Sequence, residues 1–281
     1  MKKKQSADGD LAMLKEQLSI LRLPTAKAQC EQIARQCASE NSDYLGFLLR
    51  LTQSEVQQRQ QRACDRRLKA AGFPQLKSLD EFDFKAQPSL NRALILELAR
   101  GEYVERRESV ILLGGPGTGK THVATGLAAV ACQQGKKVRF WRVSELLTGL
   151  LEAREERVLG RLRGQLARLD VLVLDEFGYL PASQTAADLL FDVISTAYEK
   201  TSVIVTTNLP FGRWTEVLGG ERLVAATLDR LTHRCHLLEA TGESYRLKEA
   251  RRRQAQSTKQ GEQDKTDRLP EGSGKETKKD S

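Results

Sequence analysis

Residues 110 to 121 read Val-Ile-Leu-Leu-Gly-Gly-Pro-Gly-Thr-Gly-Lys-Thr, an apolar run feeding the pattern Gly114-x-x-x-x-Gly119-Lys120-Thr121. That spacing suits phosphate chemistry. Glycines at Gly114, Gly117 and Gly119 let the backbone turn tightly and bring several N–H groups within reach of phosphate oxygens, with Gly115, Pro116 and Thr118 completing the loop. Lys120 is then expected to meet the terminal phosphates of ATP with its ammonium, and Thr121 to offer a hydroxyl to Mg2+. The helix opening at this point adds its positive end, and His122 falls on its first turn, near the phosphates. No second His or paired Cys lies close by in sequence, so His122 does not read as a metal ligand. Further along, Val171-Leu172-Val173-Leu174-Asp175-Glu176 is an apolar strand ending in two acids. In an open α/β sheet that position is the carboxyl edge, where ligands bind. Asp175 suits Mg2+, held directly or through water, and Glu176 suits the polarising of an attacking water. Acids also end buried strands for structural reasons alone; the phosphate loop in the same chain is what favours the chemical reading. Asn208, after Thr206-Thr207, offers an amide to the γ-phosphate or to the water, or else is a turn residue before Leu209-Pro210.

Positioning these groups requires a parallel sheet, and the pattern from about Asn91 supplies one. Short apolar segments at Ser109 to Leu113, Lys137 to Val143, Asp170 to Leu174, Ser202 to Thr207 and Cys235 to Glu239 read as five strands. Helical stretches at about 120 to 134, 144 to 168, 184 to 199 and 221 to 232 lie between them, each long enough for a right-handed crossover. Fully apolar strands alternating with helices imply a sheet covered on both faces. Before it, Leu11, Leu14, Leu18 and Leu21 repeat at helical spacing, and Pro24 separates them from a second helix at about Thr25 to Ala38. Ser42 or Asp43 can cap a third helix that runs to about Ala70, where Gly72-Phe73-Pro74 stops it. The expected organisation is a helical domain over 1–72, a linker over 73–90, an α/β core over 91–247 and a disordered polar tail over 248–281.

The 281 residues are 40% hydrophobic and 29% charged, ordinary for a soluble chain. No apolar run reaches membrane-spanning length, and Met1-Lys2-Lys3-Lys4 is not followed by the apolar stretch of a secretory signal, so a cytoplasmic location is expected and no membrane partner. Cys30, Cys37, Cys64, Cys132 and Cys235 are odd in number and lack paired spacing, which favours reduced, mostly buried thiols. A net charge of +8 favours polyanionic partners without requiring them. Two segments carry it. Arg59, Arg62 and Arg66 share a helical face able to follow a phosphate backbone, or simply to face water. Arg154, Arg157, Arg161 and Arg163 are interspersed with Glu152, Glu155 and Glu156, which equally describes a salt-laced surface helix. Neither segment holds aromatic residues for stacking on bases, so any DNA contact is expected to track a duplex backbone.

Together, Gly-Gly-Pro-Gly-Thr-Gly-Lys-Thr, Leu-Asp-Glu, Thr-Thr-Asn, Asp229-Arg230-Leu231 and Ser244-Tyr245-Arg246 resemble the IstB-type AAA+ ATPases, helpers of an insertion-sequence transposase. They also resemble the related DnaC-type helicase loaders. The resemblance spans about Leu11 to Leu247. It implies a P-loop NTPase with strand order 5-1-4-3-2 and no carboxy-terminal lid domain, placing the Asn208 strand between those of Lys120 and Asp175. It further implies that Arg230 is an arginine finger reaching the γ-phosphate held by a neighbouring subunit, and that Arg246 is a second sensor of the nucleotide. The function implied is ATP hydrolysis coupled to self-association, as a ring or a helical oligomer on duplex DNA, and to recruitment of a transposase of the IstA type. A helicase loader uses the same core and stays open as a reading. A small-molecule kinase lacks its second pocket and lid here, and a nucleotide-gated scaffold without turnover is opposed by Glu176 and Arg230.

Overall fold

The computed structural model describes residues 2–179, 183–245 and 247–248, with side chains from residue 9 onward. Arg246 and residues 249–281 of the polar tail lie outside the described residues. The chain opens with three helices, α1 (Lys2–Ile20), α2 (Pro24–Ser39) and α3 (Tyr44–Ala71). Asp43 caps α3 by accepting from the Gly46 N–H at 2.8 Å, and Gly72 ends it at φ +73°. Leu23, which precedes α2, has no side-chain oxygen with which to cap it. Glu55 of α3 takes that role from across the interface. It is 4% exposed, and its Oε2 accepts from the N–H groups of Thr25 and Ala26 at 2.7 and 2.9 Å. Leu18, Ala26, Cys30 and Leu51 close the small core of this region.

The far end of α3 belongs to a different core. Leu68 and Ala71 pack into the apolar layer beside the sheet, Arg67 donates to the Cys132 carbonyl at 2.7 Å, and Arg139 donates to the Ala70 carbonyl at 2.8 Å. At about 1.5 Å per residue this helix is long enough to join both cores.

After two short helices, α4 (Arg92–Leu98) and α5 (Glu102–Glu105), strands and helices alternate: β1 (Ser109–Gly114), α6 (Lys120–Gln133), β2 (Val138–Arg142), α7 (Val143–Glu155), α8 (Leu159–Leu166), β3 (Val171–Phe177), α9 (Gln184–Ala197), β4 (Ser202–Thr207), α10 (Thr215–Leu218), α11 (Glu221–Thr232) and β5 (Cys235–Ala240). The five strands form one parallel sheet in the order β2-β3-β4-β1-β5, which is 5-1-4-3-2 read from the other edge. Along β1, Val110 and Leu112 face α6 and Ile111 faces the layer of α7, α9 and α11, so both faces are dry. This is why the strands read as unbroken apolar runs.

Two elements differ from the sequence reading. The single helix expected over 144–168 is two helices. Arg157 adopts φ +59°, its N–H and that of Val158 bond back to Arg154 and Ala153, and α7 stops. This is a Schellman ending built without glycine, so no sequence punctuation marks it. The strand expected over 170–174 continues to Phe177, with its register against β4 shifted between Leu174 and Phe177. Among the described residues no helix is long and apolar enough to cross a membrane. The five cysteines are free thiols, Cys30, Cys37 and Cys132 buried and the other two half-buried. Burial pushes the Cys132 thiol up to about 11.

Candidate functional site

The loop between β1 and α6 sits at the carboxyl edge of the sheet. Gly117 and Gly119 hold φ of +76° and +91°, and a Cβ there would lie 2.1 Å from Ser244 Oγ and 2.6 Å from Phe82 Cε2. Only glycine fits. The Thr118 hydroxyl and the Lys120 ammonium both donate to the Gly115 carbonyl, at 2.9 and 2.7 Å, which holds the lysine over the loop. The start of α6 directs its unpaired N–H groups into the same space.

Asp175 lies opposite. It is 2% exposed, and its Oδ1 accepts from the hydroxyls of Thr121 at 2.9 Å and Thr206 at 2.6 Å. A buried carboxylate and two hydroxyls converging on one point form the hard oxygen set that Mg2+ prefers, so the residues fit the ion expected here. Thr206 also accepts from the Glu176 N–H at 3.0 Å. That bond coincides with the register shift of β3, where Glu176 takes φ +59° and turns out to an exposed position while Phe177 resumes pairing with Thr207. The irregularity therefore splits two consecutive acids, one buried on the hydroxyls and one released to the edge. Asn208 follows Thr207 on the adjacent strand and is exposed at the same edge. Sequence reading passed over Thr206, though a hydroxyl one strand away from paired acids was the available signal.

The segment 73–90 forms one wall of the site. A cleft of about 290 Å³ is lined by the loop from Gly117 to His122 and by Lys77, Glu81, Phe82, Asp83, Gln87 and Tyr245. His122 is held by a 2.7 Å bond between Nε2 and the Ser78 carbonyl, and the Phe82 ring stands edge-on to it at 5.1 Å. On the other side, the Tyr245 N–H donates to the Gly117 carbonyl at 2.9 Å. Gln87 ties the two walls together by donating to the Glu243 carbonyl at 2.8 Å. None of these wall residues has a sequence pattern of its own.

The remaining sequence candidates lie elsewhere. Arg230, near the end of α11, borders a cavity with Ser109 and Val203, at the opposite edge of the sheet from the loop. Its guanidinium donates to the Ala226 carbonyl at 2.9 Å and stacks on Phe191 at 4.6 Å. Of the first basic group, Arg59 donates to the Arg22 carbonyl at 3.0 Å and Arg62 to Thr25 Oγ1 at 3.1 Å, both at the α1–α2 corner. Arg66 is exposed. The second group is divided by the Arg157 break, with Arg154 on α7, Arg161 and Arg163 on α8, and Arg163 paired to Asp192 of α9 at 2.8 Å. Arg154, Arg157 and Arg161 are exposed.

Known proteins with this combination share much of the chain. The family described as IstB-like ATP binding protein matches residues 16–254. An insertion sequence IS21 ATP-binding protein of Pseudomonas aeruginosa is 42% identical over 84% of this chain and 89% of its own length. The corresponding IS5376 protein of Geobacillus stearothermophilus is 36% identical, over 82% and 92%. Among solved structures, AMPPCP-bound DnaA from Aquifex aeolicus superposes with TM-score 0.50 at 20% identity over 60% of this chain and 51% of its own. DnaI gives 0.51 at 18% identity over 59% and 91%. At such identities these structures speak for the fold, a P-loop AAA+ core. The match across residues 16–254, with the phosphate loop, paired acids and strand order all in place, makes this chain a member of the IstB-like ATP-binding protein family.

Proposed function

We propose that the chain is an ATP-hydrolysing helper of transposition that assembles on duplex DNA with ATP bound and recruits or activates the transposase of its element. The observation that carries this reading is the separation of the nucleotide machinery into two halves. Lys120, Thr121, Asp175, Glu176 and Asn208 gather at the carboxyl edge of the sheet, and Arg230 at the amino edge. One chain has no way to bring Arg230 to its own loop across the sheet. A second chain does, by presenting its amino edge to the first one's carboxyl edge. The family's naming as insertion-sequence ATP-binding proteins supports the transposition context.

In this reading the Gly114–Gly119 backbone cradles the phosphates of ATP, and Lys120 neutralises the terminal ones. Thr121 and Asp175 hold Mg2+, which screens charge on the β- and γ-oxygens. Glu176, turned out by the β3 irregularity, orients the attacking water with help from the Asn208 amide. Arg230 of the adjoining chain stabilises charge on the transferred phosphoryl, a contribution of roughly a thousandfold or more where such fingers act. Because this contact exists only between chains, ATP favours the assembled state and hydrolysis releases it. The exposed Arg66, Arg154, Arg157 and Arg161 are the cations best placed to follow a duplex backbone, each adding salt-sensitive affinity. The helical region 1–72 is the docking site for the transposase.

Imaging the purified chain on linear duplex DNA tests this directly. A slowly hydrolysed ATP analogue should give ordered assemblies, and ADP should not. Equal DNA coverage with and without nucleotide would remove the coupling on which the reading depends.

A further inference from the structure

The cavity that holds Arg230 carries more charge than a single finger uses. It measures about 140 Å³ and is lined by Arg106, Arg107, Arg230, His233 and Arg234, with Glu199 its one carboxylate. Arg106 pairs with Glu102 at 2.6 Å and Arg107 approaches Asp170 at 3.6 Å. Arg230 and Arg234 form no ion pair among the described residues. Four guanidiniums at one edge of a sheet repel one another unless an anion joins them.

The opposite edge carries the complement. Glu81 and Asp83 line the phosphate cleft beside Lys120, and Asp80 adjoins them. All three are exposed, and none forms an ion pair among the described residues. Asp83 accepts from the Lys85 and Ala86 N–H groups, and Asp80 from Ser78, which fixes the turn that presents them.

We propose that the Arg106–Arg107–Arg234 pocket docks on the acidic rim Asp80–Glu81–Asp83 of a second copy of this chain. The surfaces match in sign, and their placement matches as well. Arg230 shares one small cavity with the other arginines, and the phosphate loop shares one cleft with Glu81 and Asp83. Placing the finger on a neighbour's phosphates therefore brings the other arginines to that neighbour's acidic rim. The contact is heterologous, amino edge to carboxyl edge, so it propagates from chain to chain instead of closing as a two-fold dimer. It sets the register in which Arg230 enters, as rim charges do at other interfaces. The pairing rests on the ATP-dependent assembly proposed above and adds the surfaces that specify it.

Charge reversal tests it with the full-length chain. One variant carries Arg106→Glu and Arg234→Glu, and a second carries Asp80→Lys and Glu81→Lys. All four positions are exposed, and a melting curve with a fluorescent-ATP titration verifies that each variant folds and binds nucleotide. Sedimentation with the slowly hydrolysed analogue should show each variant alone needing at least about tenfold more protein to assemble. An equimolar mixture should recover the wild-type midpoint to within about threefold, because every interface in an alternating assembly then joins opposite charges. If one variant loses nucleotide binding, neutral Arg106→Gln with Arg234→Gln should still weaken assembly, and more so at low salt. Wild-type-like assembly by the reversed chains removes the pairing and leaves the ATP-driven reading standing. So does a mixture no better than its parts, or a loss confined to DNA binding, which would assign the pocket to DNA phosphates. A wild-type chain that fails to assemble with ATP removes both.

Discussion

Thr206 shows how one side chain sets two functions. Its hydroxyl donates to Asp175 Oδ1 at 2.6 Å and accepts from the Glu176 N–H at 3.0 Å, so it fixes both the buried acid and the turn that exposes its neighbour. Thr206→Val keeps the shape and removes both bonds. Hydrogen bonds to charged groups are worth about 1.5–3 kcal/mol, so turnover by this variant should fall about tenfold or more while ATP affinity stays within about threefold. Steady-state ATPase assays with a nucleotide titration separate the two quantities, and an unchanged rate would reduce Thr206 to a packing residue. Glu176→Gln should be more severe. It keeps the exposed position and the phosphate cradle and loses the base, so turnover should drop about a hundredfold or more. Binding of ATP should persist, leaving the variant stalled on DNA; turnover near the wild-type rate would take Glu176 out of the mechanism.

At the scale of elements, helix endings decide which basic residues are available. Arg22, Arg107 and Arg157 each sit at φ between 57° and 59° directly after a helix, the position glycine usually fills. A side chain in that conformation costs about 1 kcal/mol. At Arg22 and Arg107 the ending turns the chain into a tight corner. At Arg157 it divides what periodicity suggested was one continuous helix and projects an exposed arginine from the break. Arg157→Gly should therefore raise the melting midpoint by a few degrees while weakening duplex binding and lowering its salt dependence. Thermal melts and fluorescence anisotropy at two salt concentrations report both effects. A variant that is more stable and binds DNA normally would exclude Arg157 from the interface. The bonds of Arg59 and Arg62 to the α1–α2 corner give those residues a structural task, and their replacement is expected to loosen the helical region first.

For the whole molecule, the governing fact is that the parallel sheet separates its two edges. Loop, acids and Asn208 lie at one edge and Arg230 at the other, so a chain carries both halves of a composite site and completes neither alone. Lys120→Ala should not bind ATP, and Arg230→Ala should bind ATP without turning it over. Mixed in equal amounts, the two should regain hydrolysis, because a nucleotide on the Arg230→Ala chain can meet the intact finger of its Lys120→Ala neighbour. ATPase assays across mixing ratios, with co-assembly verified by sedimentation, check this. Absence of recovery in verified mixed assemblies would place the finger's action within its own chain or remove it.

The phosphate loop, the paired acids and the five strands were legible from sequence because each depends on local chemistry: glycines where positive φ is demanded, unbroken apolar runs where both faces are buried, acids at strand ends. Resemblance to a family supplied the strand order, which the sheet reproduces. The tertiary structure alone decided which residues complete the site. The segment from Lys77 to Gln87 looks like a polar connector, and becomes a wall of the cleft only because Phe82, Leu79 and Gln87 find partners at Gly119, Gly126 and Glu243. Thr206 acquires its role from a register shift with the next strand, and Arg59 and Arg62 are drawn inward by carbonyl and hydroxyl groups 37 residues away. Such assignments depend on separations of tens of residues along the chain closing to a few ångströms in space. A linear pattern records what each residue is able to do, and packing selects the partner with which it does it.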